Sequence, residues 1–164
     1  MTEGKARLIK NAVIRQIKNS DGAMLEGLFD SLGKEGRSLF NRQDHNKRGV
    51  LKYCSSPLSS RKYWVMESNG IALGYVFFLD WDTGIPELGV AVREDMRGAG
   101  LGRRLTEFAI AEAKEAGRGG IMLTTHISNL AAQSLYESLG FRLMGIYNKN
   151  VQELLYLMNF RINT

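Results

Sequence analysis

Hydrophobic and polar positions recur along this chain with two periods, and the switches between them lay out its elements. From Ala12 to Ile17, Val13, Arg15 and Ile17 fall on one side and Ile14 and Gln16 on the other, which predicts a first strand. Asn19-Ser20-Asp21-Gly22 is cap chemistry, with Asp21 as the expected N-cap. The helix that follows carries Met24, Leu25, Leu28, Phe29 and Leu32 on one face, and Gly33 is a fitting stop. Lys34 to Lys62 keeps no period beyond one or two helical turns at Arg37-Ser38-Leu39-Phe40, and reads as a solvated basic segment. Tyr63 to Glu67 predicts a second strand, Asn69-Gly70 a hairpin turn, and Ile71 to Leu79 a third strand. Tyr75-Val76-Phe77-Phe78 makes that third strand apolar enough to be central in a sheet. Gly74 inside it predicts a bulge or the close approach of another backbone.

The second half repeats the alternation of strand and helix. Leu88 to Val92 is an apolar strand ended by Arg93-Glu94-Asp95. After a turn, Leu101, Leu105, Phe108, Ala109 and Ala113 recur at helical spacing, opposite Arg103, Arg104, Glu107, Glu112 and Lys114. Gly117 to Gly120 ends that helix, and Ile121 to Ile127 predicts a fifth strand. A helix separates it from Leu88–Val92, so the two strands should be parallel, joined by a right-handed crossover. A further helix is expected between the cap Asn129 and the stop Gly140. Arg142 to Tyr147 and Glu153 to Phe160 read as a closing hairpin around Asn148-Lys149-Asn150. The class is α/β, with helices flanking a mixed sheet.

Composition narrows this picture. A chain of 164 residues suits one domain with a core of its own. There is no apolar run of about 18 residues, and the first twenty residues lack a signal-peptide core. Cys54 is the only cysteine, so no internal disulfide forms, which fits a reducing, cytoplasmic setting. A small semi-buried side chain describes it better than a nucleophile. His45, in a polar loop, has no assigned role. Trp81 between Asp80 and Asp82 either caps the sheet edge or meets a cation. The net charge of +5 suits nucleic acid or a highly anionic small molecule. No nucleic-acid motif is visible, so the second reading is kept.

The turn Arg97-Gly98-Ala99-Gly100-Leu101-Gly102 shows where an anion would sit. The first N–H groups of the following helix have no partner within it, and glycines let a ligand approach the backbone. Free N–H groups at the positive end of a helix make a phosphate or pyrophosphate site, with Arg97, Arg103 and Arg104 adding charge. A P-loop would need Lys-Ser/Thr after Gly102, where Arg103-Arg104 stands. A dinucleotide fingerprint would need G-x-G-x-x-G and an acidic residue closing the next strand, where Thr125-His126-Ile127-Ser128 stands.

The remaining design, Arg/Gln-x-x-Gly-x-Gly/Ala between strand and helix, resembles the acyl-CoA loop of the GNAT superfamily of N-acyltransferases. Arg97, Gly100 and Gly102 match it. Asn129-x-x-Ala132-x-x-Leu135-Tyr136-x-x-x-Gly140-Phe141 resembles the second signature of that superfamily, at the expected distance. The resemblance implies a mostly antiparallel sheet with one splayed parallel pair of strands. It implies acetyl transfer from acetyl-CoA to a primary amine by direct attack, with no metal. Pantetheine would pair with the Leu88–Val92 backbone, at Val90, Ala91 and Val92. The pyrophosphate would rest on the N–H groups of Arg97, Gly98, Ala99, Gly100, Leu101 and Gly102, next to Arg103. Asn129 would bind the pantetheine arm. Tyr136 would give a proton to the departing thiolate; packing beside Ala132, Leu135 and Leu139 is its other reading.

The base is left open by the residues. An alkylammonium of pKa ~10.4 needs about 4.6 kcal/mol to lose its proton at pH 7. Relatives that acetylate protein N-termini carry Leu-Glu-Val-Arg on the fifth strand, with the glutamate as base. Here the run is Leu123-Thr124-Thr125-His126, so His126, on the face of Thr124, and Glu87 are the candidates. The acceptor is a small-molecule amine or a protein or peptide amine, with no role for nucleic acid or membrane. The Lys34–Lys62 segment would serve as an acceptor flap or touch the cofactor phosphates. A homodimer is compatible with the pattern. A non-catalytic acyl-CoA-binding domain would keep the glycine loop but have no need of Tyr136.

Overall fold

The computed structural model describes residues 1–33, 47–150 and 152–161. The expected turns at Arg37–Phe40 and His45 lie outside these residues. Strands β1 (Val13–Gln16), β2 (Lys62–Ser68), β3 (Ile71–Leu79), β4 (Glu87–Val92), β5 (Gly120–His126), β6 (Arg142–Asn148) and β7 (Glu153–Asn159) form one sheet in the order β1-β2-β3-β4-β5-β7-β6. Every neighbouring pair is antiparallel except β4 with β5. The strands match the alternation in the sequence to within a residue or two. The closing hairpin folds inward: β7 pairs along the whole of β5, which leaves β6 at the edge.

Helices cover both faces. On one, α4 (Leu101–Glu115) buries Leu101, Leu105, Ala109 and Ala113 against Val76, Phe78, Leu88, Ile121 and Leu123. On the other, α2 (Gly22–Asp30) and α3 (Lys47–Ser55) pack with Tyr63, Tyr75, Phe77 and Ala91. The Asn69-Gly70 turn has positive φ at both residues, 52° and 76°, as a tight hairpin requires.

Gly74 fulfils both of its expected reasons. Met66 pairs with Gly74 but Glu67 with Ala72, so Leu73 is the extra residue of a bulge. A Cβ on Gly74 would also stand 2.6 Å from the Ala91 carbonyl oxygen and 2.9 Å from Leu105 Cδ1. Gly74→Ala should therefore force β3 and α4 apart. We expect a loss of roughly 1–3 kcal/mol, typical of overpacking, read in a thermal melt as a midpoint lowered by roughly 2–10 °C.

Three sequence readings change, and one of the two for Trp81 is selected. Helix α1 (Glu3–Lys10) was not expected: it buries no residue fully, and Leu8 and Ile9 alone cannot set a period. Helix α3 lies in the stretch read as solvated surface, yet Val50 and Cys54, four residues apart, are buried. Burial pushes the Cys54 thiol up, which suits packing. Asp21 does not cap α2 with its side chain. Its carboxylate instead accepts from Arg15 Nη1 and Nη2 at 2.8 and 2.9 Å and from the Lys18 N–H at 2.7 Å. The Arg15 bonds hold that carboxyl below the usual range. Trp81 packs against Trp64 and Phe78, and the cation over its ring is the chain's own Arg118, 4.9 Å from the centroid.

Candidate active site

Strands β4 and β5 touch at one end only. Glu87 pairs with Met122, and no further pair joins the two strands among the described residues. Backbone bonds from Met122 N–H to Pro86 O (3.1 Å) and from Gly119 N–H to Gly84 O (2.7 Å) close that end. Beyond it, β4 is held on its outer side by β3, and β5 by β7 along Gly120–His126. The inner edge of β4 from Leu88 to Val92 therefore faces a gap. An unpaired strand edge inside a sheet offers backbone donors and acceptors to an extended ligand.

The gap opens toward the glycine-rich turn. A 3-10 turn, Glu94–Met96, leads into it, and Gly98 and Gly100 have φ of 79° and 81°, a region that disfavours side chains. Gly100 is the N-cap of α4 and offers no side chain to it. The N–H groups of residues 98–103 find no acceptor among the described residues. A Cβ on Gly98 or Gly100 would meet nothing within 4 Å, so the space above both is open. Gly102 differs, since its φ is outside the left-handed region and a Cβ there would make ordinary contact with Leu135 Cδ2 at 3.5 Å. We expect Gly102→Ala to hold CoA with affinity within about threefold of wild type, by calorimetric titration, since less than ~0.7 kcal/mol is at stake.

The arginines around the turn brace it. Arg97 Nη2 donates to Leu32 O (3.2 Å), and the Glu94 N–H to Ser31 O (3.2 Å), tying the turn to the end of α2. Arg104 donates to Ile9 O and Ala12 O, and Lys5 Nζ to Asp95 O, tying it to α1. Arg103 Nη2 donates to Ser138 Oγ (2.6 Å), joining α4 to α5 (Leu130–Ser138). Their charge remains near the turn, while the backbone N–H groups of residues 98–103 stay unengaged among the described residues.

Helix α5 starts as expected. Asn129 caps it, its Oδ1 accepting from the Ala132 N–H at 3.2 Å, which leaves the side-chain NH₂ to donate elsewhere. No residue of α5 is fully buried. Tyr136 packs edge-on against Phe141 with centroids 5.7 Å apart, and its hydroxyl has no partner among the described residues. Burial pushes that phenol up to about 12, so it is protonated throughout the neutral range. By contrast the Tyr156 hydroxyl is engaged, donating to Glu137 Oε1 at 2.8 Å.

Strand alternation then sorts the remaining candidates. Leu88, Val90 and Val92 of β4 and Ile121 and Leu123 of β5 belong to the core under α4, the side of Tyr136. Glu87 and Gly89, with Thr124 and His126, point to the opposite face. On that face the Phe77 ring lies against Gly89, where it occupies the place a Cβ would take. The sequence reading brought Glu87 and His126 to one cleft but missed Phe77 and Ser128. The Ser128 N–H donates to His126 Nδ1 (3.2 Å), and Ser128 Oγ lies 2.7 Å from the same nitrogen. The only sequence signal for that contact was the His-x-Ser spacing.

A splayed parallel pair, a glycine-rich turn with unengaged N–H groups at its mouth and a tyrosine on the next helix together define a class. The model of the Acetyltransferase (GNAT) family matches residues 25–141. The chain belongs to this family, and it is an acyltransferase with acetyl-CoA as cosubstrate. It is 29% identical to the L-amino acid N-acyltransferase MnaT of Escherichia coli K12 over 135 residues, 78% of each chain. It is 33% identical to the L-methionine sulfoximine/L-methionine sulfone acetyltransferase of Pseudomonas aeruginosa over 126 residues, 66% of this chain and 73% of that one. Its fold superposes on yncA of Salmonella typhimurium, solved with its cofactor acetyl-CoA, with a TM-score of 0.73 at 23% identity, covering 91% of this chain and 94% of that one.

Proposed function

We propose that the protein acetylates the α-amine of a free L-amino acid or a close analogue, by direct attack of the amine on acetyl-CoA. The gap between β4 and β5 carries the reading, with unpaired N–H groups at its mouth and an unengaged tyrosine hydroxyl beside it. Two relatives whose names specify amino acids or amino-acid analogues as substrates support the acceptor. Thr124, where relatives acting on protein N-termini place a glutamate, points the same way.

Acetyl-CoA supplies the acetyl group as an activated thioester. In this reading the N–H groups of residues 98–103 hold its pyrophosphate, Leu88–Val92 pair with the pantetheine arm, and the Asn129 NH₂ donates to it. The amine enters from the face of Glu87, Gly89, Thr124 and His126. Glu87, at the closed end of the gap, takes the amine proton directly or through water. Tyr136 Oη gives its proton to sulfur as the carbon–sulfur bond breaks, and is reprotonated from solvent. A phenol at about 12 facing a thiol of ordinary pKa ~8.5 would make that step uphill by about 5 kcal/mol. The same desolvation raises the thiol, which brings the two groups closer to a match.

Thiol release measured against a panel of L-amino acids, methionine sulfone, polyamines and short peptides tests this. We expect turnover with one or more free amino acids or the sulfone. Turnover confined to polyamines or peptides would overturn the acceptor assignment.

A further inference from the structure

We infer that His126 is a fixed hydrogen-bond donor to the carboxylate of the acceptor, its tautomer set by Ser128. The inference rests on the amino-acid reading of the acceptor. A backbone N–H can only donate, so the bond from Ser128 N–H to His126 Nδ1 (3.2 Å) makes Nδ1 an acceptor. The Ser128 hydroxyl, 2.7 Å from the same nitrogen, adds a second donor there. The neutral ring therefore carries its proton on Nε2. That N–H has no acceptor among the described residues.

The surrounding turn keeps the ring in this arrangement. The Ile127 N–H donates to Gln152 O (2.9 Å), the Asn129 N–H to His126 O (2.9 Å), and Gln133 Nε2 to Ile127 O (2.9 Å). To act as a base through Nε2, the imidazole would have to move its proton to Nδ1 and lose the Ser128 N–H bond. A donor needs no such rearrangement.

Its position fits a carboxylate. Tyr136, which serves the leaving sulfur, lies on the α4 side of the sheet. An amine attacking from the other side meets Glu87 at the closed end of the gap and Thr124 and His126 along β5. A carboxyl one carbon from that amine needs N–H or O–H donors, and the His126 Nε2–H is such a donor on this face of β5. Glu153, opposite His126 on β7, is an acceptor and cannot bind a carboxylate when ionised. Such a donor favours amino acids over the matching amines, because an amine without the carboxylate leaves the His126 N–H without its acceptor.

Two measurements test this on the whole protein. In ¹⁵N-labelled protein carrying His45→Gln, the one remaining histidine is observed by long-range ¹H–¹⁵N correlation at about pH 8. We expect Nε2 to be protonated and Nδ1 not. The reverse tautomer overturns the inference. Steady-state kinetics then compare the best L-amino acid with its amide, which keeps the amine and loses the anionic carboxylate. His126→Ala should raise KM for the amino acid at least about tenfold and leave the amide nearly unchanged, while His126→Gln, which restores an N–H donor, stays within about threefold of wild type. Equal losses on both substrates, or a fall in kcat in His126→Gln as large as in His126→Ala, would overturn the donor role. If no amino acid turns over at all, the acceptor assignment fails and takes the carboxylate with it, while the tautomer is decided by the resonance experiment.

Discussion

Gly100→Val is expected to abolish CoA binding while the fold survives. Gly100 sits at φ 81°, where a β-branched residue is strained by about 1–2 kcal/mol. Nothing lies within 4 Å of the place its Cβ would take, so that atom meets no other part of the protein. It would stand instead in the space the N–H groups of residues 98–103 face. Relief of the strain would turn those groups away from a common point. We expect CoA affinity to fall at least about 100-fold, some 2.7 kcal/mol, with a thermal midpoint lowered by only a few degrees. Calorimetric titration of CoA into both proteins checks it. Equal affinities would mean that the turn is only a connection between β4 and α4.

Tyr136→Phe should separate chemistry from binding. The ring packs on Phe141 and neighbours Tyr156, and phenylalanine keeps those contacts. The hydroxyl bonds to nothing among the described residues, so its removal leaves no protein group unsatisfied. We expect acetyl-CoA affinity to hold and kcat to drop roughly 10²–10⁴-fold, the usual range for a lost general acid. Pre-steady-state measurement of thiol release isolates the step. A rate within about threefold of wild type, with chemistry limiting, would make Tyr136 a packing residue.

The parts of the fold readable in advance are those where local and global demands coincide. β3 carries an unbroken apolar run and follows Asn69-Gly70, whose positive φ values only a few residue types tolerate, so strand and turn were both legible. The glycine-rich turn between β4 and α4 was legible for the same reason, because Gly98 and Gly100 sit where other residues are strained. Within Arg97–Gly102 the glycines proved unequal, since Gly102 is needed for neither conformation nor space.

Elements fixed by tertiary contact were harder to read. α1 is held through Lys5 and Arg104, polar contacts that leave no period in the sequence. α3 shows two buried side chains in nine residues, too few to stand out from a basic stretch. Asp21 has the right type and place for a cap, but Arg15 and the Lys18 N–H compete for the same carboxylate and win. The arginines of the glycine-rich turn were expected by their charge. Their use as braces to α1, α2 and α5 depends on partners up to 95 positions away. Strand β7 was placed in a hairpin, but no local pattern shows that its other edge zips onto β5 and so holds the gap open.

A crystal structure of the protein with bound CoA tests the central claim most directly. The account predicts the pyrophosphate on the N–H groups of residues 98–103, the pantetheine arm along Leu88–Val92 between β4 and β5, and the sulfur within hydrogen-bond reach of Tyr136 Oη. CoA bound outside that gap, or with its sulfur remote from Tyr136, would contradict it.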